Sequence, residues 1–177
     1  MRKKTFKSPT PQIPDVCTKQ KIQKKFIYEG LGFPVILVNV PMIFIRGVWT
    51  PHINYNALMK IVLHALCHKP SPLSGVEVRF IREYFEMTTT KFGELFGVSH
   101  AAVLKWEKQG LKPAKITPTT EKCIRLFILE KLSASDKEII ELYRAINIQK
   151  LAKYNDKKIH PLPISINAQE ELEYLVG

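Results

Sequence analysis

The segment Met87 to Gly110, MTTTKFGELFGVSHAAVLKWEKQG, constrains this chain more than any other stretch. It reads as two short helices: Thr89 to Phe96 with Thr88 as N-cap, and His100 to about Gln109 with Ser99 as N-cap. Phe96-Gly97-Val98-Ser99 joins them. Gly97 can adopt the left-handed conformation that a sharp turn between helices needs, and Gly110 supplies the stop after the second helix. Phe92, Leu95, Val98, Val103 and Trp106 have the spacing to fill the wedge between the helices. His100, Ala101, Leu104, Lys105 and Lys108 are then left on the outside of the second helix. Apart from Leu104 they are small, basic or able to hydrogen-bond.

The flanking sequence supplies the support. Val35 to Val40, Met42 to Arg46 and Val48-Trp49 are β-branched and apolar, and read as two or three short strands, with Pro41 at a turn or edge because it cannot donate a ladder hydrogen bond. A helix follows from about Tyr55 to His68 with Asn54 as cap and an apolar stripe of Leu58, Ile61, Val62, Ala65 and Leu66. Lys69-Pro70-Ser71-Pro72 stops it and is expected to be a stiff linker between domains. Ser74-Gly75-Val76-Glu77 is a capping box that opens a helix whose inner face is Val78, Ile81 and Phe85. Thr117-Pro118 begins another helix, with Cys123, Ile124, Phe127, Ile128 and Leu132 as its apolar side. Ser135-Asp136-Lys137-Glu138 reads as a second capping box, and a last short helix is expected from Ala168 to Leu175, capped by Asn167.

The resulting expectation is a mainly α, α+β chain. Residues 1–25 form a flexible basic arm, and 26–72 a small strand-plus-helix module. Residues 73–149 form a helical domain, and 150–177 a Pro-punctuated tail. The arm carries eight of the 27 basic residues against Asp15, a net +7, while the rest of the chain is only +4. With Pro9, Pro11 and Pro14 and no apolar periodicity, it suits a polyanion such as nucleic acid.

The Met87–Gly110 stretch resembles the Cro/repressor (XRE) helix-turn-helix, whose common form runs L-T-x-x-x-L-A-x-x-L-G-V-S-x-x-x-V-x-x-W-E-x-G. The resemblance is carried by Thr88, Leu95 or Phe96, Gly97, Val98, Ser99, Val103, Trp106, Glu107 and Gly110. Gly93 stands where that family usually has Ala, which is expected to weaken its helix by up to ~1 kcal/mol. One extra residue, Gln109, precedes Gly110. The resemblance implies a lambda-repressor-like bundle that binds double-stranded DNA as a homodimer, acting as a transcriptional regulator and a repressor. Ser99 would cap the recognition helix, and His100, Ala101 and Lys105 would read base edges. Thr88 and Thr89 would hold a phosphate, and Lys91, Lys108 and Lys112 would contact or flank the backbone.

From Gly32 to Arg82 the chain is also similar to antitoxin-like regulators of the MqsA/YgiT type, which place a small module before a Cro-like domain. Many of those carry two CxxC zinc pairs in the module. Cys17 and Cys67 have no such partners, so zinc does not carry over. The alternative function is therefore an antitoxin that binds a toxin or other protein partner through residues 26–72 and autoregulates its own operon.

Other chemistry is weaker. His64, Cys67 and His68 sit within one turn with His52 nearby, but Cys67 reads as a small core residue and no metal site is expected. No paired carboxylates, nucleophile with a base, or Gly-rich phosphate loop is visible, so no catalytic residues and no cofactor are expected. Trp106 reads as core rather than as a base-stacking ring. Three widely spaced cysteines and the lack of an apolar run near ~18 residues point to a reduced, cytoplasmic protein without a membrane span.

Overall fold

The computed structural model describes residues 19–146 and 165–168. Those residues form an α+β structure with four strands and six helices. The strands are β1 (Gln20–Tyr28), β2 (Val35–Ile45), β3 (Val48–Pro51) and β4 (Ser165–Asn167). The helices are α1 (Tyr55–His68), α2 (Gly75–Tyr84), α3 (Thr89–Leu95), α4 (His100–Glu107), α5 (Pro118–Lys131) and α6 (Asp136–Ala145).

β2 is the spine of the sheet. β1 runs antiparallel along one side of it, from Gln20 opposite Ile43 to Tyr28 opposite Val35. The other side is shared: β3 pairs antiparallel with residues 42–45, and β4 pairs parallel with residues 36–38. Arg46 and Gly47 both have positive φ, the geometry of the two-residue hairpin that joins β2 to β3.

Pro41 is neither at a turn nor on an edge strand; it lies inside a single eleven-residue strand. Its carbonyl accepts from His52 N at 2.8 Å, and its ring nitrogen lies on that same side, between the stretches paired to β4 and β3. No ladder bond is lost there. Two residues earlier, Asn39 has φ +52° and resets the alternation. Val35 and Leu37 are buried before it, and Val40 and Met42 after it.

The last six residues of the expected arm are not free. Gln20 to Lys25 belong to β1, and Lys21 Nζ lies 4.2 Å from the Trp49 ring centroid. A lysine-rich edge strand is a common guard against edge-to-edge pairing, so the cations suit the strand rather than argue against it. Residues 1–18 lie outside the described residues.

The expected linker also belongs to the core. Lys69 and Ser71 are buried. The Arg125 guanidinium, itself 2% exposed, donates to the carbonyls of Cys67, Lys69 and Ser71 and to Glu121 Oε1. Lys69 Nζ reaches both Glu77 carboxylate oxygens at 2.7 Å. Glu121 in turn accepts from Leu73 N at 3.0 Å. The Lys69 and Ser71 carbonyls, left without helix or ladder partners beside two prolines, are thus both satisfied by one arginine. One apolar cluster then runs from Val35 and Leu37 of the sheet through Leu58, Leu63 and Leu66 of α1 to Ile124 and Ile128 of α5.

Two helical readings change with packing. Arg125 and Leu129 occupy the inner side of α5 with Ile124 and Ile128, while Cys123 is exposed. At α6, Ser135 Oγ accepts from Glu138 N as a cap should, but Glu138 returns no hydrogen bond to Ser135; its carboxylate is turned to His64 and His68. The expected helix from Ala168 to Leu175 lies, apart from Ala168, outside the described residues. The residues before it form β4, with Ile166 buried against the sheet.

Candidate nucleic-acid interface

α3 and α4 are short, and each is started by a hydroxyl cap. Thr88 Oγ1 accepts from Lys91 N and Ser99 Oγ from Ala102 N, both at 3.2 Å. Gly97 has φ +67° and Gly110 has φ +61°, so both expected turn glycines take the left-handed conformation. The turn is locked from within: Val98 N donates to Gly93 O at 2.9 Å.

Gly93 is there for space. A Cβ on it would lie 2.6 Å from Val98 O and 3.3 Å from His100 N, both backbone atoms. The glycine that by propensity weakens α3 is what lets the turn and the start of α4 close onto that helix. Gly75 has the same role where α2 meets α4, with Trp106 O 2.5 Å from its would-be Cβ. The first N–H groups of α2 are satisfied by the loop that follows α4: Gly75 N donates to Lys112 O at 3.1 Å and Val76 N to Gly110 O at 2.9 Å.

The inner side of α4 is Val103, Trp106 and Glu107. Trp106 is buried, in keeping with a core role. Glu107 is 5% exposed and receives Arg82 through two bonds, Nε to Oε1 at 2.6 Å and Nη2 to Oε2 at 3.1 Å. Arg82 Nη1 also donates to Met87 O at 2.9 Å. Arg79 Nε lies 3.4 Å from the same carboxylate. The hydrogen bond to Glu107 raises the Arg82 pKa above its ordinary value, so the guanidinium stays charged. One arginine thus ties α2, the loop before α3, and α4 together. In the sequence Arg82 reads only as helix continuation; its partner lies 25 positions away. The available signal is an acidic residue next to Trp106 on the apolar side of its helix.

The outer side of α4 presents His100, Ala101, Leu104 and Lys105, with Lys108 at its C-cap, all exposed. Lys91 on α3 and Lys112 beyond α4 are exposed as well. Thr88 is exposed and engaged as a cap, and Thr89 is half-buried. Of the expected wedge, Phe92 and Val103 are fully buried, but Leu95 is 48% exposed. Phe96 takes the inward place: its ring lies 4.9 Å from Phe92 and 5.7 Å from Phe127. Gln109 Nε2 donates to Lys105 O at 3.3 Å, so the extra residue caps the last turn of the helix.

Two other groups stand apart. The Cys67 thiol donates to Leu63 O and Arg125 O, and burial pushes its pKa up to about 12. Leu63, Cys67 and Arg125 thus form a closed, interior arrangement, while His64 and His68 face outward. No helix among the described residues is long and apolar enough to cross a membrane. No protein-family model, curated protein or solved structure matches the chain.

Proposed function

We propose that the protein is a sequence-specific DNA-binding regulator that reads the major groove with residues 100–109. The observation that carries this is the outer side of α4, a run of His100, Ala101, Leu104, Lys105 and Lys108 that is exposed among the described residues, on a helix whose inner side is anchored by Trp106 and Glu107. Specific readout needs that combination, because bidentate contacts to base edges discriminate only when the helix is held in a fixed orientation. His100, Ala101 and Lys105 are the base-edge readers, and Leu104 offers an apolar contact to a thymine methyl group. Lys91, Lys108 and Lys112, with the Thr88 hydroxyl and Thr89, contact phosphates and set the register. Cations on residues 1–25 add affinity that does not depend on sequence.

The protein acts as a homodimer on paired half-sites ~34 Å apart and as a repressor in the cytoplasm, since occupancy of an operator is enough to exclude other proteins. The inner stripe of α5 is consumed against α1 and the core, so the pairing surface falls to α6, where Ile140 and Tyr143 are exposed.

A binding selection from random duplexes tests the reading. One sequence class should be enriched. Lys105→Ala should cost ~1–3 kcal/mol and relax preference at one position. Equal affinity of wild type and variant for every enriched duplex removes Lys105 as a reader. A second protein that co-purifies through residues 26–72, with an enriched duplex as well, favours the antitoxin reading instead, and a selection that enriches nothing removes both readings.

A further inference from the structure

On the exposed face of α1, next to the buried Cys67, two imidazoles and one carboxylate converge. His64 and His68 are one turn apart and so share a face of the helix. Glu138, in the first turn of α6, comes to meet them across 70 residues of chain. His64 Nε2 lies 2.5 Å and His68 Nε2 3.5 Å from the same oxygen, Glu138 Oε1. The three ligand atoms all lie within 4.8 Å of one another.

We propose that His64, His68 and Glu138 form a binding site for a divalent transition-metal ion of the zinc class, which clasps α6 to α1. Bonds of ~2.0–2.1 Å in a tetrahedral site place neighbouring ligand atoms about 3.3 Å apart. Glu138 Oε1 already stands 3.5 Å from His68, has to draw back about 1 Å from His64, and the two imidazoles, whose ligand atoms lie within 4.8 Å of each other, have to close by side-chain rotation. The side chains are 51%, 44% and 31% exposed, which leaves them free to adjust and leaves solvent at the remaining coordination position. Two nitrogens and one oxygen favour zinc, cobalt or nickel over calcium or magnesium, which take oxygen ligands. Cys67 is not a ligand, because its sulfur is buried between Leu63 and Arg125. The site is distinct from the outer side of α4 and does not depend on DNA binding.

Chelator-treated full-length protein is titrated with zinc by calorimetry and with cobalt by visible absorption, and its thermal unfolding is followed with each ion. The expected result is one tight equivalent, a d–d cobalt band of a nitrogen–oxygen site, and a rise in Tm with zinc that magnesium does not reproduce. The double variant His64→Gln, His68→Gln should lose the tight equivalent. Glu138→Gln, nearly the same shape, should weaken it by more than the loss of a group behind a ligand, which costs about 10–100-fold. Cys123→Ser, an exposed thiol outside the site, should leave it intact. All these substitutions are at exposed or half-exposed positions, and unchanged circular dichroism separates ligand loss from unfolding. An unaltered zinc isotherm in the double variant overturns the proposal, as does a tight equivalent that disappears with Cys123→Ser.

Discussion

Replacing Gly93 by alanine separates local propensity from tertiary packing by the sign of the result. Within an isolated helix the change should help, since alanine is about 1 kcal/mol better than glycine in a helix interior. In the folded protein the new methyl would sit 2.6 Å from Val98 O, inside the distance real Cβ atoms reach. The obstacle is backbone on both counts, Val98 O and His100 N, so no side-chain rotation relieves it. The turn would have to move away from α3, stretching the Val98 N to Gly93 O bond now at 2.9 Å. Forcing an extra methyl into a packed site costs ~1–3 kcal/mol. A 2.6 Å approach to backbone places this site in the upper part of that range, about 2–3 kcal/mol; less the propensity gain of about 1 kcal/mol, Gly93→Ala is expected to destabilise by about 1–2 kcal/mol, or roughly 2–8 °C in Tm for a chain of this size. Urea unfolding followed by tryptophan fluorescence reads it well, because Trp106 is buried on the helix that would be displaced. The same variant should bind its selected duplex more weakly. Stability equal to or above wild type would refute the close-approach argument and restore Gly93 to a mere weak spot in its helix.

Glu107→Ala should cost about 3 kcal/mol or more, because it leaves the largely buried Arg82 without its bidentate partner; chemical denaturation measures it, and a loss below ~1 kcal/mol would show that the pair does not hold α4. Alkylation at pH 8 followed by peptide mass spectrometry should label Cys123 within minutes and Cys67 only at the rate of unfolding, since a thiol with a pKa of about 12 is ionised to only ~10⁻⁴ there. The folded state keeps the Cys67 proton up to about 12, while the unfolded chain releases it near 9.0. The stability this proton linkage contributes is therefore full below pH 9 and declines as pH rises toward 12. Rapid labelling of Cys67 in native protein would contradict both statements.

Elements determined by short-range chemistry are readable in the sequence alone. Asn54, Ser74, Thr88, Ser99, Thr117 and Ser135 each cap the helix that the sequence starts at them, because a cap needs only an oxygen and an N–H three residues on. Gly97 and Gly110 are readable for the same reason: their positive φ is a property of one residue. The outer residues of α4 follow from helical periodicity, and burial leaves all of them exposed. What tertiary structure alone decided are the pairings between distant segments of the chain. Arg125 filling the place of a core apolar residue, Arg82 gripping Glu107, and β4 returning to β2 each depend on groups far apart in sequence. So does the meeting of His64 and His68 with Glu138, which turned an expected capping box into half of one. Local pattern sets the preferences of a segment over one or two turns, but it carries no term for a partner brought near only when the core closes. Gly93 sits on that divide: its helix reads as weakened by glycine, and only the packed turn supplies the backbone oxygen that leaves no room for anything larger.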